Sequence, residues 1–155
     1  MAIASPCATL RDEQQLIASI VELMKTEQQL LVSADADGLS TLSPQKLQLA
    51  QQAAGLSRMR HKALGMAGFT PGEAGMEHWL AAANGDARAQ WDRLLELTRQ
   101  AKELNRVNGM LVNKQLAHTQ GALNALRGEQ GGASSVYGPG GQASGFGTSR
   151  RYAVG

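Results

Sequence analysis

The sequence is short of the residues that most often carry chemistry. It holds one cysteine, Cys7, in 155 residues, which excludes a disulfide within the chain and a thiol-built metal site. Beside Pro6, near a terminus, Cys7 reads as an incidental thiol. Aromatic residues number six, Phe69, Trp79, Trp91, Tyr137, Phe146 and Tyr152. β-Branched residues are sparse as well, and together these shortages argue against a sheet. No stretch approaches the roughly 20 apolar residues of a membrane span. The N-terminus lacks a basic segment followed by a sustained apolar one, so no secretory signal is expected and the chain reads as soluble and cytoplasmic. An excess of one charge is missing too. The net charge is +2, and no two Lys or Arg residues adjoin except Arg150-Arg151, too thin a patch to imply nucleic acid.

Catalytic constellations are equally scarce. His61, His78 and His118 fall in different expected elements, with no carboxylate or thiol at metal-ligand spacing. Ser40, Ser43 and Ser57 have no adjacent base to activate them, and no glycine-rich loop joins a strand to a helix. Asp92, Glu96 and Glu103 interleave with Arg88, Arg93, Arg99 and Lys102, the pattern of a solvated helix face. The residues point to no catalytic, cofactor or metal site, so the chain is not expected to be an enzyme.

What the sequence has in quantity is Ala, Leu, Gln and Arg, a mix that favours helices. Thr9 reads as an N-cap, and Leu10, Ile17, Ile20, Val21, Met24 and Leu31 keep a helical period as far as Val32. Asp35-Ala36-Asp37-Gly38 breaks it. Ser43-Pro44 then supplies a capping hydroxyl followed by proline at a first helical position, and Leu47, Leu49, Ala53, Leu56, Met59 and Ala63 carry a second helix to about Met66. Thr70-Pro71 repeats the start signal for a short helix through Trp79. Asp86 opens the longest element, expected to end near Arg127. Beyond it lie Gly and Ser with few aliphatic residues, a composition unable to offset the entropy of ordering. The expected fold is all-α: an antiparallel three-helix bundle or coiled coil with one long C-terminal helix, a short extra helix in the connector, and a disordered tail. Residues 1–127 form the helical domain and residues 128–155 the tail.

The last helix, at about 60 Å, outruns the first two, each about 35 Å by the same rise per residue. Part of it must overhang, pair with a second copy or accept a partner. Trp91, Leu94, Leu95, Leu97, Ala101 and Leu104 make a broad stripe suited to a bundle core. Val112, Leu116, Thr119, Leu123 and Leu126 make a narrower one, at alternating spacings of four and three, suited to coiled-coil contact. The protein's own helices or a partner helix would both satisfy it, and the length arithmetic favours the partner. Asn108 falls on the line through Leu104 and Leu111, where apolar residues are expected and where an Asn fixes register at a cost in stability.

Two motifs remain, Leu-Asn-Arg-Val-Asn-Gly at residues 104–109 and Tyr-Gly-Pro-Gly-Gly-Gln at residues 137–142. A Tyr within a Gly/Pro turn is a compact apolar knob with a polar tip. In this order, ahead of the short basic end at Arg150-Arg151, they resemble the FlgN family of flagellar export chaperones. The resemblance spans most of the chain, and the two motifs carry it. One departure is Gly140, where many members have Asp, which removes a charge from the turn; the positive net charge is also unusual.

The resemblance implies binding without catalysis. FlgN-like proteins hold the hook-associated proteins FlgK and FlgL before export, shield the helical termini that would polymerise, and dock at the export gate component FlhA. Carried over by position, Asn108, Leu111, Val112, Leu116, Leu123 and Leu126 would contact cargo, and Tyr137, Gly138 and Gln142 would dock at the gate. The implied partners exclude nucleic acid and membrane insertion, and no cofactor is implied. The alternative, from the residues alone, is a self-associating helical scaffold without an export role.

Overall fold

A computed structural model describes residues 4–83 and 85–136, with side chains as far as residue 129. Its helices are α1 (Leu10–Val32), α2 (Ala36–Met66), α3 (Glu73–Ala81) and α4 (Ala87–Val136), and no strand occurs among the described residues. The chain divides into two compact units, Met1–Val112 and Asn113–Gly155, with α4 running through the boundary.

The first unit is an up-down-up bundle. Glu13 and Glu27 on α1 pair with Arg60 and Lys46 on α2, which sets the two helices antiparallel. Gln14 Nε2 donates to the Gln90 carbonyl and Asn108 Nδ2 to the Met24 carbonyl, so α4 runs parallel to α1. The first two helices therefore pack along the front of α4. At one end Leu10, Leu64, Met76, Leu80, Trp91 and Leu94 form a buried cluster, and α3 closes that end through Met76 and Leu80. Midway, Ile20, Met24 and Ala53 pack with Leu49, Ala101 and Leu104. Burying a side chain of this size contributes about 1.5–3 kcal/mol, so these clusters outweigh any single propensity.

The core face of α1 is a regular alternation of three and four: Leu10, Glu13, Ile17, Ile20, Met24, Glu27 and Leu31. All are buried except the half-buried Ile17. Two glutamates thus occupy apolar-seam positions. Thr9 stands at the N-cap position of α1 but its side chain caps no backbone N–H. Its hydroxyl instead donates to Glu13 Oε2 at 2.9 Å, because a buried carboxylate is the stronger acceptor.

Helix starts differ from the sequence expectation in two places. α2 begins at Ala36, where Asp35 Oδ1 accepts from the Gly38 N–H at 2.9 Å, and Pro44 lies inside the helix. Proline inside a helix costs about 3 kcal/mol. The Asp35 cap and the burial of Leu42 offset it, and the Ser43 hydroxyl folds back on the Leu39 carbonyl rather than capping. α3 starts at Glu73 behind Gly72, not behind Thr70. There the chain folds so tightly that a Cβ on Gly75 would lie 1.6 Å from the Thr70 carbonyl oxygen, so residue 75 has to be glycine.

The ends of α1 and α2 share one turn. Asp35 N–H donates to the Leu30 carbonyl and Phe69 N–H to the Leu64 carbonyl, with Ala34 (φ 55°) and Gly68 (φ 88°) in the left-handed region. This is the Schellman arrangement, with glycine at its usual place in α2 and alanine in α1. α4 extends to Val136, past the expected end near Arg127. Glycines 128, 131 and 132 weaken a helix by about 1 kcal/mol each without stopping it, since extending an existing helix adds a hydrogen bond per residue. Most of the Gly-rich tail expected for residues 128–155 lies outside the described residues.

Candidate partner-binding site

Two buried polar centres tie the helices of the first unit together. In the first, Arg60 Nε and Nη2 donate to the two Glu13 oxygens at 3.0 and 3.1 Å. Its guanidinium lies 4.9 Å from the centroid of the Trp91 ring, a cation–π contact, and Ser57 accepts a further bond from Nη2. α1, α2 and α4 meet at these groups. In the second, Asn108 Nδ2 donates to the Met24 carbonyl at 2.9 Å and to Glu27 Oε1 at 2.8 Å, while Lys46 Nζ donates to Glu27 Oε2 at 2.6 Å. Asn108 Oδ1 is buried with no hydrogen-bond partner. The same three helices meet again.

Sequence reasoning missed Glu13, Glu27, Lys46 and Arg60. The available signal was a glutamate at the third residue after Leu10 and again after Met24, in step with the apolar seam. Glu13 to Glu27 and Lys46 to Arg60 are each 14 residues apart, so one antiparallel register satisfies both pairs. Both glutamates are deeply enclosed. Removing one partner of such a pair leaves a buried charge unpaired.

A cleft of about 400 Å³ in the first unit is lined by Ile17, Ala53, Arg60, Trp91, Leu94 and Thr98 among others. The charges of Glu13 and Arg60 at this cleft are spent on each other. The outward face of α4 over residues 87–106 is a run of ion pairs. Arg99 and Gln100 hold the Glu96 carboxyl down at about 2, Arg106 lowers that of Glu103, and Arg88 with the Trp91 indole N–H lowers that of Glu77. His61 borders the cleft, whereas His78 and His118 are exposed.

The residues expected to contact a partner divide by environment. Asn108 is 2% exposed and belongs to the bundle interior, a correction to its placement on a contact surface: both its donated bonds are made within the chain. It lies in step with Leu97, Ala101, Leu104 and the half-buried Leu111. The exposed series begins one residue along. Val112 is 40% exposed and closes the first unit; in the second unit Leu116, Leu123 and Leu126 are 58, 49 and 58% exposed. Leu116, Thr119, Leu123 and Leu126 share one helix face by their spacing of three and four. Tyr137, Gly138 and Gln142, expected to dock at a gate, lie outside the described residues, as do Phe146 and Tyr152.

In α4 the buried stripe of the first unit is thus followed by an exposed leucine stripe in the second. The chain belongs to the FlgN family: a family model described as FlgN protein matches residues 1–145. That span takes in both motifs, at residues 104–109 and 137–142, and stops short of Arg150-Arg151. Neither a curated protein nor a solved structure matches the chain. Membership makes it a chaperone of flagellar assembly in the general role of the family, a binder of flagellar proteins. Among the described residues no helix is long and apolar enough to cross a membrane.

Proposed function

We propose that this chain is a cytoplasmic export chaperone for the hook-associated proteins FlgK and FlgL, which it keeps from assembling early and delivers to FlhA without catalysing a reaction. The observation that carries the reading is the leucine series Leu116, Leu123 and Leu126, exposed on one helix face of a FlgN-family protein. An amphipathic cargo helix that assembles through coiled-coil contacts would find in it the apolar face it otherwise seeks in its own assembly. Leu111 and Val112 extend the series toward the bundle. Asn108 serves it indirectly, by fixing the register of α4 against α1.

Gate docking is assigned to Tyr137, Gly138 and Gln142. Residues 137–155 have the composition of a segment that orders on binding, and that ordering cost keeps affinity low enough for release. The test is co-purification of the intact chain with FlgK or FlgL and, separately, with the cytoplasmic part of FlhA. Tyr137→Ala should leave folding and cargo capture intact and weaken FlhA binding. A drop in thermal stability instead would make the tyrosine structural, and failure of the parent chain to retain either cargo would reject the function.

A further inference from the structure

The cleft of about 400 Å³ in the first unit is lined from all four helices. Its walls take residues 53–61 of α2 and 91–98 of α4, about two helical turns of each, with Ile17 from α1 and Glu73 from α3. Walls so short on four elements bound a pocket and not a running groove. The volume lies within the range of sites that take small molecules, about 300–1,000 Å³. Ile17, Ala53, Trp91, Leu94 and Leu95 make the lining mainly apolar.

One polar group at the cleft is incompletely used. The Arg60 side chain is 8% exposed, and a guanidinium carries five N–H groups. Nε donates to Glu13 Oε2, and Nη2 donates to Glu13 Oε1 and Ser57 Oγ. The two N–H groups on Nη1 are left without an acceptor among the described residues. Nη1 is not sealed in the core, since Asn108 Oδ1 is the sole fully enclosed side-chain atom without a partner among those residues. It therefore opens to solvent, and the cleft is the opening that Arg60 lines. Buried donors are nearly always paired, so a molecule in this cleft is offered a donor with no competing acceptor.

We propose that the cleft binds a small, neutral aromatic molecule whose oxygen accepts a hydrogen bond from Arg60 Nη1. The ring packs against the Trp91 side of the lining, where an aromatic neighbour adds to apolar burial. Neutrality follows from the charges already present. Glu13 balances the guanidinium and Glu73 adds a negative charge at the lining, so a ligand carboxylate would bring an anion with no cation left for it. A ligand cation would leave Nη1 unpaired and face the guanidinium. This site goes beyond the handling of flagellar proteins: it belongs to the first unit, whereas Leu116, Leu123 and Leu126 belong to the second.

The experiment follows the indole N–H signals of Trp91 and Trp79 by NMR in the full chain at neutral pH. The probes are acetophenone, benzoate and benzylammonium, which share one ring and differ in the polar group. Trp79 lines a separate notch with Phe69, Ala82 and Ala83 and serves as the internal control. Acetophenone should shift Trp91 and not Trp79, with a Kd on the order of 1 mM, ordinary for so small a probe. Benzoate should bind at least about threefold more weakly, and benzylammonium at least about tenfold, because it leaves the buried donor unmet. Ala54→Phe, at an exposed position on the lining, leaves Glu13 and Arg60 in place and should weaken acetophenone at least about fivefold by filling the space. Benzoate binding as tightly as acetophenone, or equal binding of all three probes, overturns the proposed ligand. An unmoved Trp91, a Trp79 that shifts as far, or a folded Ala54→Phe chain that binds as the parent does overturns the cleft as the site. If that variant fails to fold by circular dichroism, the three probes on the parent chain decide alone.

Discussion

Two stretches of α4 follow opposite rules on one continuous helix. Over residues 87–106 the inward side chains Trp91, Leu94 and Leu97 are buried and the outward face is laced with Arg–Glu pairs such as Arg99–Glu96 and Arg106–Glu103. Over residues 113–126 the leucines are exposed and charge nearly vanishes. A helix that a protein covers for itself can be highly charged outside, because its apolar side is settled by folding. Along residues 113–126 the apolar side stays open, and Lys114 is the sole Lys, Arg, Asp or Glu before Arg127 follows Leu126. The difference teaches that one helix can bury its apolar stripe in one stretch and leave it exposed in the next.

The comparison breaks most severely at the buried pair. Arg60→Ala should lower the stability of the bundle by about 3–5 kcal/mol in chemical denaturation, because Glu13 is left enclosed without its cation and Trp91 without its cap. Glu13→Leu with Arg60→Met should recover much of that loss. If the single variant costs under 1 kcal/mol, water reaches the pair and the first unit is looser than described. Asn108→Ala comes next, at about 1–3 kcal/mol, the cost of leaving Met24 and Glu27 without their donor. In the second unit the Leu116→Gln/Leu123→Gln change should move stability by less than about 1 kcal/mol, as surface substitutions do, which would separate the two stretches by thermal melt alone.

The smallest effect is acidic. Glu77, Glu96 and Glu103 titrate lower in the folded chain than in the unfolded one, so each contributes above the ordinary carboxylate range. That contribution fades as pH falls through the folded value, for Glu96 between about 4.5 and about 2. These groups are solvent-exposed, so the loss is small. Residues 107–128 contain no carboxylate. Amide exchange between pH 5 and pH 3 should therefore loosen residues 87–106 more than residues 113–126, once intrinsic rates are removed. Equal loosening would show that the ion pairs add nothing to the front of the helix.

Much of this was legible in residue spacing. The bounds of α1 followed from Leu10, Ile17, Met24 and Leu31, and the exposed stripe from Val112 onward followed from alternation of four and three. The start of α2 was not legible. Ser43-Pro44 has the local chemistry of a first turn, and tertiary burial of Leu42 with the Asp35 cap overrode it. The paired charges escaped because Glu13 and Glu27 resemble ordinary solvated glutamates until α2 is laid beside α1. Asn108 was legible as a misfit in an apolar line, but not which neighbour would receive it: Met24 and Glu27 lie over 80 positions away in the chain.

The equal 14-residue intervals between Glu13 and Glu27 and between Lys46 and Arg60 bear on how such a chain can change length. A single residue inserted into α1 between the two glutamates would turn one of them about 100° off the seam and strand a cation on α2. Only a matched gain or loss of whole heptads in both helices would keep both pairs. A change in length is therefore better tolerated outside this ruler, as in residues 67–72 and in α4 beyond Asn108.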